Sequence, residues 1–125
     1  MKKYNWVTHY IQYDLCPGGL INSHTHGLHI YSHLDFQLVL PLSKDHVDRI
    51  LNAFGMEVKK GKKYEPGSYN EKFFSNDFRI VPAYDRGRNV LRIILPDSKS
   101  RYPENPLCEC PFKHQLLFST NKKVK

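Results

Sequence analysis

Apolar and aromatic residues are spread along both faces of the segment 5–14, which predicts a β-strand. Trp6, Thr8 and Tyr10 would share one face of that strand, and the opposite face would carry Val7, His9, Ile11 and Tyr13. Runs rich in β-branched and aromatic residues predict further strands at 24–30, 36–40, 78–84 and 90–95, and a last short strand at 115–119. The runs at 78–84 and 90–95 flank the turn-like segment Asp85-Arg86-Gly87-Arg88-Asn89. We therefore expect these two strands to form a hairpin.

One segment has the period of an amphipathic helix. Ser43 is a favourable N-cap, and Gly61 is a favourable residue just past the C-terminal end. Between them, apolar residues recur at steps of three and four: Val47, Ile50, Leu51, Phe54 and Val58. A short helical turn is expected at 71–74. Strands on both sides of one principal helix, without regular β-α alternation, predict an α+β fold with a largely antiparallel or mixed sheet and that helix packed on it.

The composition is that of an ordinary globular domain, with 125 residues of which 40% are hydrophobic. We expect one α+β domain over residues 1–118, followed by a flexible basic tail at 119–125. No apolar stretch approaches the roughly 18 residues of a transmembrane helix, and the N-terminus lacks the apolar run of a secretory signal. Three cysteines, an odd number, argue against a disulfide framework, so the sequence predicts a cytoplasmic protein.

The net charge of +7 bears on the class of partner. A basic protein suits an acidic protein partner, and no membrane partner is expected. Nucleic acid is the second class, because arginines surround the predicted hairpin with tyrosines between them, although no recognised nucleic-acid motif is present. These arginines are Arg79, Arg86, Arg88, Arg92 and Arg101.

Four of the seven histidines lie within ten residues: His24, His26, His29 and His33. Imidazole binds transition metals and titrates near neutral pH, so the cluster indicates a metal site, a proton-transfer site or a pH-sensitive surface. His24 and His26 are two apart on a predicted strand and point to the same face, whereas His29 and His33 have the opposite parity. The metal candidates are His24 and His26, followed by His33, Cys108 and Cys110, and zinc is the metal that such ligands suit.

Several short motifs keep the order and spacing of a known family. They are Thr25-x-Gly27-Leu28, His33-x-Asp35-x-x-Leu38-Val39, Ile50-Leu51-Asn52, Gly61-x-x-Tyr64-x-Pro66-Gly67, Leu95-Pro96-Asp97, Arg101-Tyr102-Pro103-x-x-Pro106 and then Gln115. Over about residues 23–118 the chain resembles the bacterial family named domain of unknown function 4262. The resemblance implies a small bacterial α+β domain and directs attention to Thr25, Gly27, His33, Asp35 and Asp97. It brings no activity, and His24 and His26 depart from the family pattern.

The candidate catalytic residues are His33, Asp35 and Asp97. We expect the strand around Thr25, the turn from His33 to Asp35 and the loop of Asp97 to come together. An imidazole there would act as a general base, and the carboxylates would orient it or complete a metal shell. Whether the protein is an enzyme stays open. The three functions that the sequence leaves are a protein-binding or accessory module, a metal-binding domain or metal-dependent enzyme, and a nucleic-acid-binding protein.

Overall fold

The structure is a computed structural model that describes residues 6–13, 20–70, 77–85 and 87–116. Its strands are β1 Val7–Tyr13, β2 Leu20–His26, β3 Phe36–Val39, β4 Gly67–Tyr69, β5 Phe78–Asp85 and β6 Arg88–Ile94, and its principal helix is α1 Lys44–Lys59. Short 3-10 helices lie at Leu28–Tyr31 and Phe112–His114. Within the described residues, six strands and one principal helix confirm the predicted α+β class.

The strands form one mixed sheet in the order β1-β2-β3-β6-β5-β4. β3 and β6 run parallel, and all other neighbours are antiparallel. β5 and β6 form the hairpin that the sequence predicts. Because parallel strands need a long crossover, the chain between β3 and β6 has room for α1, which packs on one face of the sheet.

α1 begins and ends where the sequence predicts. Ser43 Oγ accepts a hydrogen bond from the His46 backbone N–H at 3.2 Å, and Gly61, with a φ of +110°, follows the last turn. The apolar stripe of α1 packs on side chains of β3, β5 and β6, and Phe54 at its centre is fully buried. The ring of Phe54 lies 5.2 Å from that of Phe36 and 5.1 Å from that of Phe78.

β1 is fastened to α1 on its helix-facing side. Trp6, next to the strand, packs on Gly55 and donates from Nε1 to Asn52 Oδ1 at 2.8 Å. The Tyr10 hydroxyl donates a hydrogen bond to Asp48 Oδ1. Burial and this contact with a carboxylate both raise the pKa of Tyr10. The odd-numbered residues of β1 therefore project from the other face of the sheet.

The strand predicted at 24–30 is wrong in its second half. β2 begins earlier, at Leu20, and ends at His26. Gly27 then adopts a φ of +124°, which a residue with a Cβ rarely adopts, and the alternation stops there. The 3-10 helix that follows turns Leu28 into the core, where its side chain is fully buried.

The remaining elements differ from the prediction or lie outside the described residues. The sequence does not predict β4, because Gly67-Ser68-Tyr69 has the composition of a turn. The last predicted strand is not formed at its start: Gln115 lies in a turn, where its side-chain amide donates to the Leu95 carbonyl at 2.6 Å and accepts from the Leu95 N–H at 2.8 Å. The expected turn at 71–74, Cys16 and the tail at 119–125 lie outside the described residues.

Candidate functional site

The sheet face away from α1 carries a row of polar side chains. The strand registers align His9 with His24, His24 with Gln37, and Gln37 with Arg92, across β1, β2, β3 and β6. Residues paired in this way project from the same face. His24, Gln37 and Arg92 are buried, whereas His9 is exposed. Buried polar groups are stable only when hydrogen-bonded, so this row needs a complete network.

Three imidazole rings meet at the β1–β2 end of the row. The ring centroids of His24 and His26 are 5.7 Å apart, those of His9 and His26 are 4.8 Å apart, and those of His9 and His24 are 5.5 Å apart. His24 and His26 share a face, as their spacing predicts, while His29 lies on the following 3-10 helix. His9 joins them as the register partner of His24. We call His9, His24 and His26 the three-histidine cluster.

The hydrogen bonds beside the cluster have a fixed direction. Arg92 can only donate, so the Gln37 Oε1 at 2.6 Å from Arg92 Nε is the acceptor, and the Gln37 amide nitrogen points away. That nitrogen donates to Asn22 Oδ1 at 3.0 Å. Asn22 Nδ2 then donates to Asp85 Oδ1 at 3.2 Å. Each amide is thereby held in one orientation.

This orientation of Asn22 favours one tautomer of His24. Asn22 Oδ1 lies 3.4 Å from His24 Nδ1, and Asp85 Oδ2 lies 3.8 Å from the same nitrogen. Both neighbours are acceptors, which favours the neutral tautomer with the proton on Nδ1 and the lone pair on Nε2. Metal-bound histidines and general bases are held in the same way, with Nδ1–H turned toward a carboxylate.

Arg92 is the buried cation of this network. Its side chain is fully buried, and it also donates to the Gln115 carbonyl oxygen at 2.9 Å. Burial lowers the pKa of Arg92 to about 10, against the opposing effect of the Asp85 carboxylate, so the guanidinium stays charged at neutral pH. Asp85 contacts β2 although two strands separate β5 from β2 in the sheet. The sheet therefore curves, and the end of β5 lies over this face.

Asp35, a candidate catalytic residue, is the centre of a different network. Its Oδ1 accepts from the Thr25 hydroxyl at 2.8 Å and from the Leu28 N–H at 3.1 Å, and its Oδ2 pairs with Arg88 Nη1 at 2.9 Å. Thr25 Oγ1 in turn accepts from the Phe36 N–H at 3.1 Å. Asp35 is buried and holds the end of β2 to the start of β3. These contacts give it a structural role.

The structure does not bring His33 and Asp97 together with Asp35 in one site. Both ring nitrogens of His33 are used by the backbone: Nδ1 lies 2.8 Å from the Leu34 carbonyl oxygen, and Nε2 accepts from the Tyr64 N–H at 3.0 Å. Asp97 follows β6, whereas Asp35 precedes β3. Because β3 and β6 are parallel, the two carboxylates lie at opposite ends of the sheet.

Asp97 closes the loop that follows β6. It accepts hydrogen bonds from the backbone N–H groups of Lys99, Arg101 and Glu109 at 2.9 Å, and from Arg101 Nε at 3.0 Å. Burial opposes the ionisation of this carboxyl, but these donors together hold the pKa of Asp97 well below its ordinary value.

Cys108 and Cys110 are both free thiols. Cys108 is buried, its thiol donates to the Arg101 carbonyl at 3.2 Å, and burial together with the nearby Asp97 raises its pKa. Within the described residues, no group of three or more His, Cys, Asp or Glu side chains has the arrangement needed to hold a metal ion. A closed site made of both cysteines and the histidines is therefore not formed there.

The described arginines of the expected basic surface are paired or buried. Arg79 makes two contacts with the Glu104 carboxylate, at 2.8 and 2.9 Å, and lies over the Tyr102 ring at 3.7 Å from its centroid. These in-chain partners leave less positive charge for phosphates than the sequence suggests. The others are Arg88, paired with Asp35, Arg101, paired with Asp97, and the buried Arg92, while Arg86 lies outside the described residues.

Comparison of the chain with protein-family models, with curated proteins and with solved structures finds no match. The resemblance to domain of unknown function 4262 therefore stays a prediction. Among the described residues, no helix combines the length and the apolar character needed to cross a membrane.

Proposed function

We propose that this protein is a metal-binding domain that holds one divalent transition-metal ion of the zinc class between His9, His24 and His26. The observation that carries the proposal is the meeting of three imidazole rings from two paired strands, with centroids 4.8 to 5.7 Å apart. Three histidines with an open fourth position are a known zinc ligand set.

The spacing of the rings suits a single ion. Zinc–nitrogen bonds of about 2.1 Å at tetrahedral angles put the centroids of three coordinating imidazoles about 5 Å apart. The three separations in the cluster lie on either side of that value. The backbone register of β1 and β2 therefore supports coordination without a change of fold.

His24 is the pre-oriented member of the cluster. It is buried, and its contacts with the acceptors Asn22 and Asp85 favour a proton on Nδ1 and the lone pair on Nε2. His9 and His26 are exposed, so their rings have room to turn toward His24. Coordination requires this rotation of the two rings, because the ring nitrogens of the cluster do not converge on one point in the structure.

Zinc titration of tag-free protein by calorimetry tests the proposal. We expect one zinc ion per chain. His9→Ala, His24→Ala and His26→Ala each remove a ligand and should weaken binding by about 100-fold or more, while Asp85→Asn removes the support of the His24 ring and should weaken it by about 10–100-fold. His9→Ala is the most informative of these, because it rests on the strand register alone.

His29→Ala and His46→Ala are the matched controls, since both remove an exposed histidine outside the cluster. Their zinc affinity should equal that of the unsubstituted chain, and far-UV circular dichroism should show every variant folded. A folded chain that binds no zinc refutes the proposal. Equal losses in the controls would mean that exposed imidazoles bind zinc without a defined site.

The free thiols of Cys108 and Cys110 support a reducing compartment, and we propose the cytoplasm as the location. Cell fractionation of the untagged protein tests this. Recovery with the membrane or in an oxidising compartment would contradict it.

A further inference from the structure

We propose that β1 is a dimerisation strand, through which two copies of this chain pair antiparallel and join their sheets. β1 is an outer strand, and β2 is its only neighbour among the described residues. An outer strand presents backbone donors and acceptors that a further strand can use. This inference does not depend on the proposed metal site.

β1 lacks the features that normally protect an outer strand. It pairs with β2 over seven consecutive residues without a bulge, and its sequence, VTHYIQY, contains no proline, lysine, arginine or acidic residue. Val7 is 57% exposed. Long, regular, uncharged outer strands recruit other strands. The outer strand on the other side, β4, has only three residues, so the association closes at two copies.

The strand is also held ready for pairing. Trp6 and Tyr10 fasten β1 to α1 through Asn52 and Asp48. A strand that is already ordered loses little conformational entropy when it pairs. The fastening lies on the helix-facing side and leaves the outer edge of β1 clear of α1.

A second copy is the occupant that the charge distribution favours. The chain carries a net charge of +7, so most of its surface would repel another copy, whereas β1 carries no Lys, Arg, Asp or Glu. An acidic peptide would find no lysine or arginine on this strand with which to form an ion pair. Antiparallel pairing of all seven residues puts the two-fold axis at Tyr10, so Thr8 faces Gln12 of the second copy and His9 faces Ile11 of the second copy.

Analytical ultracentrifugation of the full chain, over a concentration series in a metal chelator, tests the inference. We expect a reversible dimer with a Kd on the order of micromolar, because pairing through one strand buries a small interface. Thr8→Lys/Gln12→Lys and Thr8→Glu/Gln12→Glu each place like charges opposite one another and should be monomeric. An equimolar mixture of the two should dimerise again.

Leu34→Lys/Leu107→Lys is the matched control, because it adds the same charge at two exposed positions outside β1 and should leave the dimer intact. Recovery in the mixture shows that the charged variants are folded and that the register is correct. An unsubstituted chain that stays monomeric at about 1 mM overturns the inference. The inference is also overturned if the equimolar mixture of the two charged β1 variants stays monomeric. The same holds if the control variant is monomeric while the β1 variants still dimerise.

Discussion

Gly55→Ala tests whether β1 is fastened to α1 as the structure indicates. An alanine Cβ at this position would lie 2.6 Å from Trp6 Cε2, which is closer than carbon atoms approach in folded proteins. Trp6 cannot retreat without loss, because its side chain is 2% exposed and its Nε1 donates to Asn52 Oδ1. The substitution therefore has to displace either the indole or the helix.

The expected effect combines three contributions. In an open helix, Gly→Ala stabilises by about 1 kcal/mol. Overpacking a filled site costs about 1–3 kcal/mol, and loss of the hydrogen bond between Trp6 and Asn52 costs about 1 kcal/mol more. We therefore expect Gly55→Ala to lower the free energy of unfolding by roughly 1–3 kcal/mol, although the substitution by itself favours the helix.

Urea denaturation followed by far-UV circular dichroism measures this change and its cause. Trp6 is the single tryptophan, so the fluorescence of the folded Gly55→Ala variant should also shift to the red as the indole becomes more exposed to water. In a Trp6→Leu background the ring is gone, and Gly55→Ala should instead stabilise by about 1 kcal/mol. Stabilisation by Gly55→Ala with Trp6 in place would refute the packing of β1 on α1.

Three further predictions concern the loops and the thiols. Thr25→Val removes a donor to the buried carboxylate of Asp35, so we expect the free energy of unfolding to fall by about 1–3 kcal/mol in urea. The lowered pKa of Asp97 stabilises the folded state above the ordinary Asp value of about 3.9, and this contribution is lost as the pH falls below it, so Asp97→Asn should cost stability at neutral pH and progressively less in acid. In a Cys16→Ser variant, which keeps Cys108 and Cys110, the exposed Cys110 should react with a thiol reagent well before the buried Cys108, whose pKa is raised.

Each of these three has an outcome that contradicts it. Unchanged stability of Thr25→Val would mean that Asp35 is held without the hydroxyl. A stability difference between Asp97→Asn and the unsubstituted chain that is the same at neutral and acid pH would contradict the lowered pKa. Equal reaction rates of Cys108 and Cys110 in the folded protein would contradict the burial of Cys108.

The bounds and the buried face of α1 follow from the local sequence. Ser43 and Gly61 end the helix through contacts within a few residues, and the stripe through Phe54 marks the buried face because helical periodicity is a local property. The hairpin of β5 and β6 is similar, since both strands and their turn lie in one short window. These elements appear in the structure as the sequence predicts them.

β2 and β4 show where a local pattern is insufficient. The predicted strand 24–30 extends beyond His26, where β2 ends. It ends there because Gly27 adopts a φ of +124° and because Asp35, which lies outside that segment, accepts a hydrogen bond from the N–H of Leu28. β4 is a strand only because Gly67 and its neighbours pair with β5. Such contacts with distant residues override a weak local preference.

The three-histidine cluster depends both on the local sequence and on the tertiary structure. The sequence by itself determined that His24 and His26 share a face, because alternation is built into an extended backbone. The register of β1 on β2 added His9, and the curvature of the sheet brought Asp85 to His24. Register and curvature are properties of the assembled sheet. They join residues that are far apart along the chain, and no local window of the sequence contains them.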